Sequence, residues 1–369
     1  MVSALETGSG AIARWVASCL NVDTNDVSIT KLTGDASTRS YYRARLGERT
    51  VIVAQYGAPF DERETAVERL ARLEAENVSA RLTFANDPCA HLEVTTLLLD
   101  AGLPVPRILA VSRSESAILI QDVGDIRLQD WIETRAEKEV TEAYRQAVAL
   151  IVKIQDVTET ALEADSICSH LAFDEAKLRW ELGFFFANYF NRYLHQRLEP
   201  AVANAMQADF KTLCADLAGR PRVLAHRDYH ARNLMMHSGE LFIIDHQDAR
   251  MGPASYDLVS LVSDPYTSLA ADTIAELIDL FIEKKSASKL PLLDLAAFQT
   301  EMELMTVQRM LKAVGTYASQ AAQNNPAYVS YIAPAINRAV AAMERLSRFD
   351  ATRELMTESL EVRSADHGV

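Results

Sequence analysis

The most informative stretch of the sequence is His226-Arg227-Asp228-Tyr229-His230-Ala231-Arg232-Asn233, which is followed twelve residues later by Asp245. Asp228 can offer a carboxylate to an attacking hydroxyl group. Asn233 and Asp245 can supply oxygen ligands to a hard cation such as Mg²⁺. This order and spacing is typical of phosphoryl transfer from a nucleotide, because that reaction depends on positioned groups and metal ions more than on covalent help from the protein.

Either piece alone has a simpler interpretation. An aspartate that closes a strand is often a turn former or a helix cap, and a single Asp-x4-Asn occurs often by chance. The flanking residues favour the catalytic interpretation, because 222–225 is predicted as a strand and 233–236 with 241–244 as a hairpin turning at Ser238-Gly239. Asp245 therefore ends a predicted strand. His226 is expected to organise the loop by hydrogen bonding to the backbone.

The motif resembles that of the aminoglycoside phosphotransferase and choline kinase-like superfamily. By that resemblance Asp228 is the catalytic base, Asn233 and Asp245 bind Mg²⁺, and ATP is the phosphate donor. The resemblance also implies an α+β, two-lobed protein-kinase-like fold, with a small sheet-containing N-lobe and a mainly helical C-lobe. We expect a nucleotide-binding lobe over residues 1–122, with an insertion at about 57–90. The helical lobe over residues 123–369 is expected to carry the catalytic loop and the acceptor site.

Composition limits the other classes of function. The chain has 369 residues, 49% of them hydrophobic, which is enough to bury one large or two moderate cores. A formal net charge of -14 and the lack of a basic stripe argue against nucleic-acid binding. No apolar run reaches the roughly 18 residues of a membrane span, and no basic-then-apolar leader is present, so a cytoplasmic protein with no membrane partner is expected. Four scattered cysteines indicate free thiols.

Hydrophobic periodicity predicts a sheet-rich first part and a helical remainder. The predicted strands of the first part are 27–32, 40–46, 50–56, 107–111 and 117–121. A leading helix is predicted over 10–20, a charged helix from a capping box at 61–64 to about 77, and another over 91–100. The later predicted helices are 137–157, 173–194, 201–217, 273–284, 294–322 and 328–346. The insertion is interpreted as a segment packed on the outside, with a lid as the alternative.

The nucleotide side is less specific. Gly34, Ser37 and Thr38 lie where kinase-like small lobes carry a phosphate-covering loop, although the same composition is that of an ordinary turn. The third predicted strand lacks the lysine that usually meets the phosphates in such folds. We hypothesise that Arg39 or Arg43 supplies the missing positive charge, with a solvent-facing arginine as the alternative.

Within the superfamily the chain most resembles the anomeric N-acetylmuramate/N-acetylglucosamine 1-kinases of bacterial cell-wall recycling. The resemblance rests on residues 34–37, 40–43, 226–229, 245–249, 252–253, 256–258, 260–261 and 308–315. That group also lacks the strand lysine. This chain differs from the group at His246, where the group usually has an aromatic residue, and in its enlarged 57–90 segment.

The resemblance implies a kinase that phosphorylates the anomeric hydroxyl of an N-acetylated amino sugar in peptidoglycan recycling. Gln247 and Asp248 are candidates for contacts with the sugar, with a turn-capping role as an equal alternative. Arg309 is a candidate for binding the lactyl carboxylate of a muramate sugar. Arg309 and Lys312, one helical turn apart, could instead form a solvated helix face.

Two other classes stay open. An aminoglycoside or other small-alcohol phosphotransferase would need carboxylates to hold a polycation, and Asp174, Glu175 and Glu181 could contribute them. A catalytically silent nucleotide-binding scaffold would explain the absent lysine, but the presence of Asp228, Asn233 and Asp245 argues against it.

Overall fold

The computed structural model describes residues 2–32, 39–57, 64–75, 83–84, 86–292 and 294–366. The predicted phosphate-covering residues Gly34, Ser37 and Thr38 lie outside this part of the chain. The chain forms two compact units. The first unit consists of residues 1–134, 159–170 and 233–249, and the second of residues 135–158, 171–232 and 250–369.

The first unit contains a five-stranded antiparallel sheet. Its strands are β1 (Ser28–Lys31), β2 (Ser40–Leu46), β3 (Arg49–Gln55), β4 (Ile108–Ser112) and β5 (Ala117–Gln121), paired in the order β1-β2-β3-β5-β4. Each predicted strand is confirmed to within one residue at each end. The strands could be located because each is a short segment rich in β-branched and aromatic residues, and glycine-containing turns separate them.

Alternating side chains bury both faces of the sheet. Val51 and Val53 of β3 point to the face covered by Ile12 and Val16 of helix α1 (Val2–Leu20). The intervening residues of β3 belong to a second apolar cluster on the opposite face, together with side chains of β5 and of helix α3 (Pro88–Asp100). Successive side chains of a strand point to opposite faces of the sheet. Because β3 is apolar at successive positions, burial of both faces is expected.

The charged helix of the first unit begins later than predicted. Helix α2 spans Ala66–Ala75, and its capping box is formed by Thr65 and Glu68. The Glu68 backbone N–H donates to the Thr65 hydroxyl at 3.2 Å, and the Thr65 N–H donates to the Glu68 carboxylate at 2.8 Å. A Ser/Thr-x-x-Glu pair satisfies two helix-end donors at once.

The rest of the chain is mainly helical. The further helices are α4 (Leu128–Ile132), α5 (Glu137–Gln155), α6 (Thr158–Glu163), α7 (Ile167–His170), α8 (Glu175–Phe186), α9 (Pro200–Ala218), α10 (Tyr256–Val262), α11 (Ala271–Ser286), α12 (Leu295–Ala322), α13 (Ile332–Leu346) and α14 (Asp350–Asp366). A π-helical segment, Ala187–Tyr193, continues α8. The fold class is therefore confirmed as a mixed α/β architecture with a sheet in the N-terminal part and a mostly helical remainder.

The hairpin that carries the predicted metal ligands belongs to the first unit. Its strands are β7 (Leu234–His237) and β8 (Glu240–Ile243), while β6 (Arg222–Ala225) pairs with β9 (Arg250–Pro253) in the second unit. The expected single boundary at 122/123 differs from this division. The physical reason is backbone hydrogen bonding of the hairpin within the first unit, from Met236 N to Ile126 O and from Ile243 N to Pro104 O, both at 2.8 Å.

Helix α12 of the second unit approaches helix α8 closely at Gly315. A Cβ atom built on Gly315 would lie 2.6 Å from the Phe185 Cα and 3.0 Å from the Phe185 N. These are backbone atoms, which cannot move aside as a flexible side chain can. Gly315 therefore permits this helix contact at a position where alanine would otherwise be preferred.

We predict that Gly315→Ala destabilises the protein by about 1–3 kcal/mol, because the clash outweighs the gain in helix propensity. Urea unfolding measures the change. Gly183→Ala in α8 is the matched control, since Gly183 has no atom within 4 Å of its built Cβ. The control should be neutral or stabilising by up to about 1 kcal/mol. A neutral Gly315→Ala would show that the two helices separate at little cost.

Candidate functional site

Two buried aspartates hold the loop that carries Asp228, all within the second unit. The first, Asp257 of α10, accepts hydrogen bonds from two successive backbone N–H groups, those of His226 at 2.6 Å and Arg227 at 3.1 Å. Arg227 has φ +87, a left-handed conformation that is strained for a residue with a side chain. The paired carboxylate contacts thus fix the backbone immediately before Asp228 in a shape it would otherwise avoid.

The second, Asp264, holds the other end of the loop. Its carboxylate accepts from the backbone N–H groups of Ala231 at 3.0 Å and Tyr266 at 2.8 Å. Burial raises the pKa of Asp264 to about 6, against the lowering effect of these two hydrogen bonds. Sequence reasoning gave neither aspartate a role. Their sequence context was uninformative, since each is an isolated Asp in the mostly apolar segment 256–264, and such a residue also suits helix capping.

His226 is buried beneath the same loop. Its ring lies edge-on to Tyr229, with centroids 5.6 Å apart, and the Tyr229 hydroxyl donates to the Ala147 carbonyl at 2.9 Å. The His226 backbone N–H carries the bond to Asp257. This environment suits the predicted structural role of His226 in the loop, which stays a prediction for the side chain itself.

Three cations surround the Asp228 carboxylate. Lys312 Nζ donates to Asp228 Oδ1 at 3.0 Å, Arg309 Nη1 lies 3.9 Å from the same oxygen, and Arg227 Nε lies 3.8 Å from Oδ2. Burial alone would raise the pKa of Asp228, but the charges of Lys312, Arg227 and Arg309 outweigh it and hold the pKa well below its usual value. Asp228 is therefore an ionised carboxylate and a weak base.

Arg309 and Lys312 do not form a solvated helix face. Arg309 is only 6% exposed. Its Nη1 donates to the Tyr256 hydroxyl at 2.8 Å, and its guanidinium lies over the Tyr256 ring, 4.7 Å from the centroid. This geometry favours a role for Arg309 in holding Tyr256 and the charge of Asp228, rather than the predicted contact with a sugar carboxylate, which stays untested.

We predict that Lys312→Met lowers kcat about tenfold or more at neutral pH, because a charged hydrogen bond to Asp228 is lost. The variant also removes one of three cations that depress the pKa of Asp228, so that pKa should rise. Activity that depends on the ionised carboxylate is lost as pH falls through this pKa, and the acidic limb of the kcat profile should therefore move to higher pH. An unshifted limb would contradict the assignment of Asp228 as the titrating group.

Asn233 and Asp245 lie at the two ends of one hairpin in the first unit. The Ile244 N–H donates to the Asn233 carbonyl at 3.0 Å, which places Asn233 opposite the residue next to Asp245. The turn at Ser238 and Gly239 has φ +53 and +85, as the predicted hairpin requires. Asp245 itself has φ +61. The two predicted metal ligands are thus brought to neighbouring backbone positions.

Two side chains orient the Asp245 carboxylate. Arg39 Nη2 donates to Asp245 Oδ1 at 2.9 Å, and Gln247 Nε2 donates to the same oxygen at 2.8 Å. Gln247 is 2% exposed. This geometry favours a positioning role for Gln247 over the predicted contact with a sugar.

The donor set suits Mg²⁺. An amide oxygen and a carboxylate are hard oxygen ligands, and Mg²⁺ keeps several waters while it binds one or two carboxylates plus substrate phosphates. Within the described residues no group of three or more His, Cys, Asp and Glu side chains is arranged to hold a metal ion. Asn233 and Asp245 would therefore hold Mg²⁺ only together with nucleotide phosphates and water.

Arg43 forms ion pairs with two carboxylates, those of Asp122 and Asp125. It donates to Asp122 at 2.7 and 3.0 Å and to Asp125 at 2.6 and 2.8 Å. A guanidinium that forms paired bonds to two carboxylates is already matched in charge and geometry. Of the two arginines proposed to replace the strand lysine, this arrangement favours Arg39, which is buried and contacts Asp245, over Arg43.

Asp248 anchors part of the 57–90 segment. It accepts from the Thr83 hydroxyl at 2.6 Å and from the Phe84 backbone N–H at 2.9 Å, and Phe84 is fully buried. A carboxylate with 3% exposure and these bonds serves as an anchor, so the geometry favours this role over the predicted sugar contact. Thr83 and Phe84 are thus tied into the first unit, whereas Val67 of α2 in the same segment is 53% exposed.

The same segment provides a partner for the carboxylate of α3. Arg69 of α2 pairs with Glu93, which also accepts hydrogen bonds from the Ser166 hydroxyl and the Ile167 backbone N–H. The Glu93 carboxylate is therefore paired and hydrogen-bonded within the first unit. Its partner is an arginine of the enlarged segment, which the sequence places 24 residues away.

A loop with a candidate catalytic carboxylate, a hairpin with two candidate metal ligands and a five-stranded antiparallel sheet are the parts expected of a kinase-like phosphotransferase. The model of the family described as "Phosphotransferase enzyme family" matches residues 28–281, and the chain belongs to this family. It is a phosphotransferase with a hydroxyl group as acceptor. Among helices of the described residues, none combines the length and apolarity needed to cross a membrane.

Known proteins give this class its context. An N-acetylmuramate/N-acetylglucosamine kinase from Pseudomonas aeruginosa is 27% identical over 313 residues, covering 82% of each chain. A choline kinase from Streptococcus pneumoniae has a similar structure, with a TM-score of 0.54, 14% identity and coverage of 90% of this chain and 98% of that one. The aminoglycoside phosphotransferase APH(2'')-Ib, solved with ADP bound, has a TM-score of 0.52 and 11% identity at the same coverage.

Proposed function

We propose that the protein transfers the γ-phosphate of ATP to the anomeric hydroxyl of an N-acetylated amino sugar, N-acetylmuramate or N-acetylglucosamine, in cytoplasmic peptidoglycan recycling. The name of the Pseudomonas aeruginosa relative supports this substrate class. The resemblance of residues 34–37, 40–43 and 308–315 to the same group supports it further.

Each site residue has a proposed role. Asp228 orients the acceptor hydroxyl, and Asn233 and Asp245 bind Mg²⁺. The metal would neutralise charge on the transferring phosphate. Arg39 and Gln247 hold the Asp245 carboxylate in its orientation. Gly34, Ser37 and Thr38 are proposed to cover the phosphates.

The setting of Asp228 is the observation that carries the choice of acceptor. Three cations keep this carboxylate ionised and weakly basic. Such a group orients a hydroxyl better than it deprotonates one. An anomeric hydroxyl belongs to a hemiacetal and loses its proton more readily than a simple alcohol does. It therefore needs less help from a base.

The same charges disfavour a polycationic acceptor such as an aminoglycoside. Glu181, one of the carboxylates considered for binding a polycation, is buried, accepts from Gln308 Nε2 at 2.8 Å and lies in the field of Lys312 and Lys177. Asp174 caps α8 through the Lys177 backbone N–H at 2.7 Å. Neither is arranged to compensate a second positive charge beside Asp228.

Product chemistry tests the proposal. The protein is incubated with ATP, Mg²⁺ and either N-acetylglucosamine, N-acetylmuramate or kanamycin, and the phosphorylated product is heated in dilute acid. We expect phosphate transfer to the amino sugars and rapid acid hydrolysis, because glycosyl phosphates are far more labile than ordinary phosphate esters. An acid-stable product, or transfer to kanamycin alone, would support the alternative alcohol kinase. Binding of ATP with neither ATP consumption nor any phosphorylated acceptor would support the scaffold alternative.

A further inference from the structure

Four tyrosines gather around Arg232 in the second unit. The Arg232 guanidinium lies over the ring of Tyr266 at 4.8 Å and near that of Tyr328 at 5.8 Å, and its Nη1 lies 3.3 Å from the Tyr328 hydroxyl. Tyr331 packs edge-on against Tyr266, with centroids 4.8 Å apart, and Tyr317 contacts the other three rings at 5.6 to 5.9 Å. We call these five residues the Arg232–tyrosine cluster.

The cluster is tied to the loop that carries Asp228. Arg232 follows Asp228 by four residues. The single carboxylate of Asp264 binds the backbone of Ala231, next to Arg232, and the backbone of Tyr266. His230, between Asp228 and Arg232, lies edge-on to the Tyr266 ring with centroids 5.5 Å apart. The Arg232–tyrosine cluster is thus held in a fixed position relative to the loop that carries Asp228.

Four of its five side chains are partly exposed and can therefore contact a ligand. Tyr317 is buried and forms the base, whereas Arg232, Tyr266, Tyr328 and Tyr331 are half-buried. Burial raises the pKa of Tyr266 to about 12, so its hydroxyl stays a neutral donor. A cluster needed only for packing would be satisfied by aliphatic side chains, which bring no hydroxyls that require partners.

The chemistry of the cluster fits an acidic sugar. Aromatic faces carry partial negative charge and pack against the C–H bonds of a pyranose ring, while phenol hydroxyls bond to its polar groups. A planar guanidinium matches the geometry of a carboxylate and can bind it through two parallel hydrogen bonds. The positive charge of Arg232 is unsuited to a quaternary ammonium or a polyamine at the same place.

We propose that the Arg232–tyrosine cluster is the acceptor subsite, in which Arg232 binds the carboxylate of an acidic N-acetylated sugar and the tyrosine rings support its pyranose ring. The inference rests on the proposed function and deepens it. N-acetylmuramate differs from N-acetylglucosamine by a lactyl ether that carries a carboxylate, so Arg232 favours the former. This assignment replaces Arg309, whose guanidinium is engaged with Tyr256 and Asp228.

Arg232→Gln tests the subsite by kinetics with both sugars. It should lower kcat/KM for N-acetylmuramate about 10- to 100-fold, the loss expected for one charged hydrogen-bonded contact, and change kcat/KM for N-acetylglucosamine by less than about threefold. Arg179→Gln is the matched control, because Arg179 is exposed and pairs with Glu175 on the surface of α8. The control should leave both values unchanged.

Equal losses for the two sugars, or no loss for either, would overturn the subsite. If the glutamine variant fails to fold, as judged by circular dichroism, Arg232→Lys provides the second test. It should give a smaller loss that is again confined to N-acetylmuramate, and an unchanged preference would overturn the proposal.

Calorimetric titration of the wild-type protein with each sugar separates the subsite from the proposed function. Tighter binding of N-acetylmuramate that Arg232→Gln abolishes supports the subsite even if neither sugar is phosphorylated, in which case the proposed function alone fails. Equal binding of the two sugars by the wild-type protein counts against the subsite, whether or not they are phosphorylated.

Discussion

Asp228→Asn is expected to lower kcat about 10²- to 10⁴-fold, the range in which a positioned acid–base or orienting group contributes. Asparagine retains the size of the side chain but loses the charge that binds Lys312 at 3.0 Å. It can no longer accept the hydrogen of the acceptor hydroxyl as an anion. Under the proposed transfer to an anomeric hydroxyl, which is already acidic, we expect a loss towards the lower end of this range with an amino sugar. Steady-state kinetics measure it.

Asp216→Asn serves as the matched control, since Asp216 also pairs with a cation, Arg348, at 2.6 Å in the second unit. The control should retain wild-type kcat. Thermal melts of both variants establish that the loss at Asp228 is not caused by unfolding. A folded Asp228→Asn protein with wild-type turnover would remove Asp228 from the catalytic machinery.

Asp245→Asn is expected to lower kcat about 10²- to 10³-fold and to raise the Mg²⁺ concentration needed for half-maximal activity. Mg²⁺ prefers charged oxygen ligands, and the variant replaces its only proposed carboxylate by an amide. It also weakens the contact with Arg39, so the orientation of the side chain loosens. Activity titrated against Mg²⁺ at saturating ATP measures both changes.

The control for this variant is Asp125→Asn. Asp125 pairs with Arg43 in the same unit but is exposed, with 73% of its side chain accessible. It should leave the Mg²⁺ dependence unchanged. If Asp245→Asn lowered kcat without moving the Mg²⁺ dependence, its carboxylate would have a structural role and the metal assignment would be wrong.

The sequence predicted features that depend on local pattern. Alternation of apolar residues located β2 and β5 to the residue, because strand period and turn residues are short-range signals. Asp228, Asn233 and Asp245 could be proposed as site residues for the same reason, since one loop and one hairpin carry all three. The hairpin turn at Ser238-Gly239 followed from residues that tolerate positive φ.

Features that depend on long-range packing were not predicted. Lys312 meets Asp228 across 84 residues, and Asp257 meets His226 across 31. No periodicity distinguishes a lysine on a buried helix face from one on a solvated face. Arg43 and Asp248 likewise bind residues that are distant in sequence, Asp122 and Thr83, and no local pattern indicates these contacts.

The most direct measurement of the central claim is phosphorus NMR of the protein incubated with ATP, Mg²⁺ and N-acetylmuramate. We expect a new phosphomonoester signal split by coupling to the proton on the anomeric carbon, formed as the ATP γ-phosphate signal declines, and about 100-fold slower to form with Asp228→Asn. A new signal coupled to any other sugar proton, or ATP consumption that yields only inorganic phosphate, would contradict transfer to the anomeric hydroxyl.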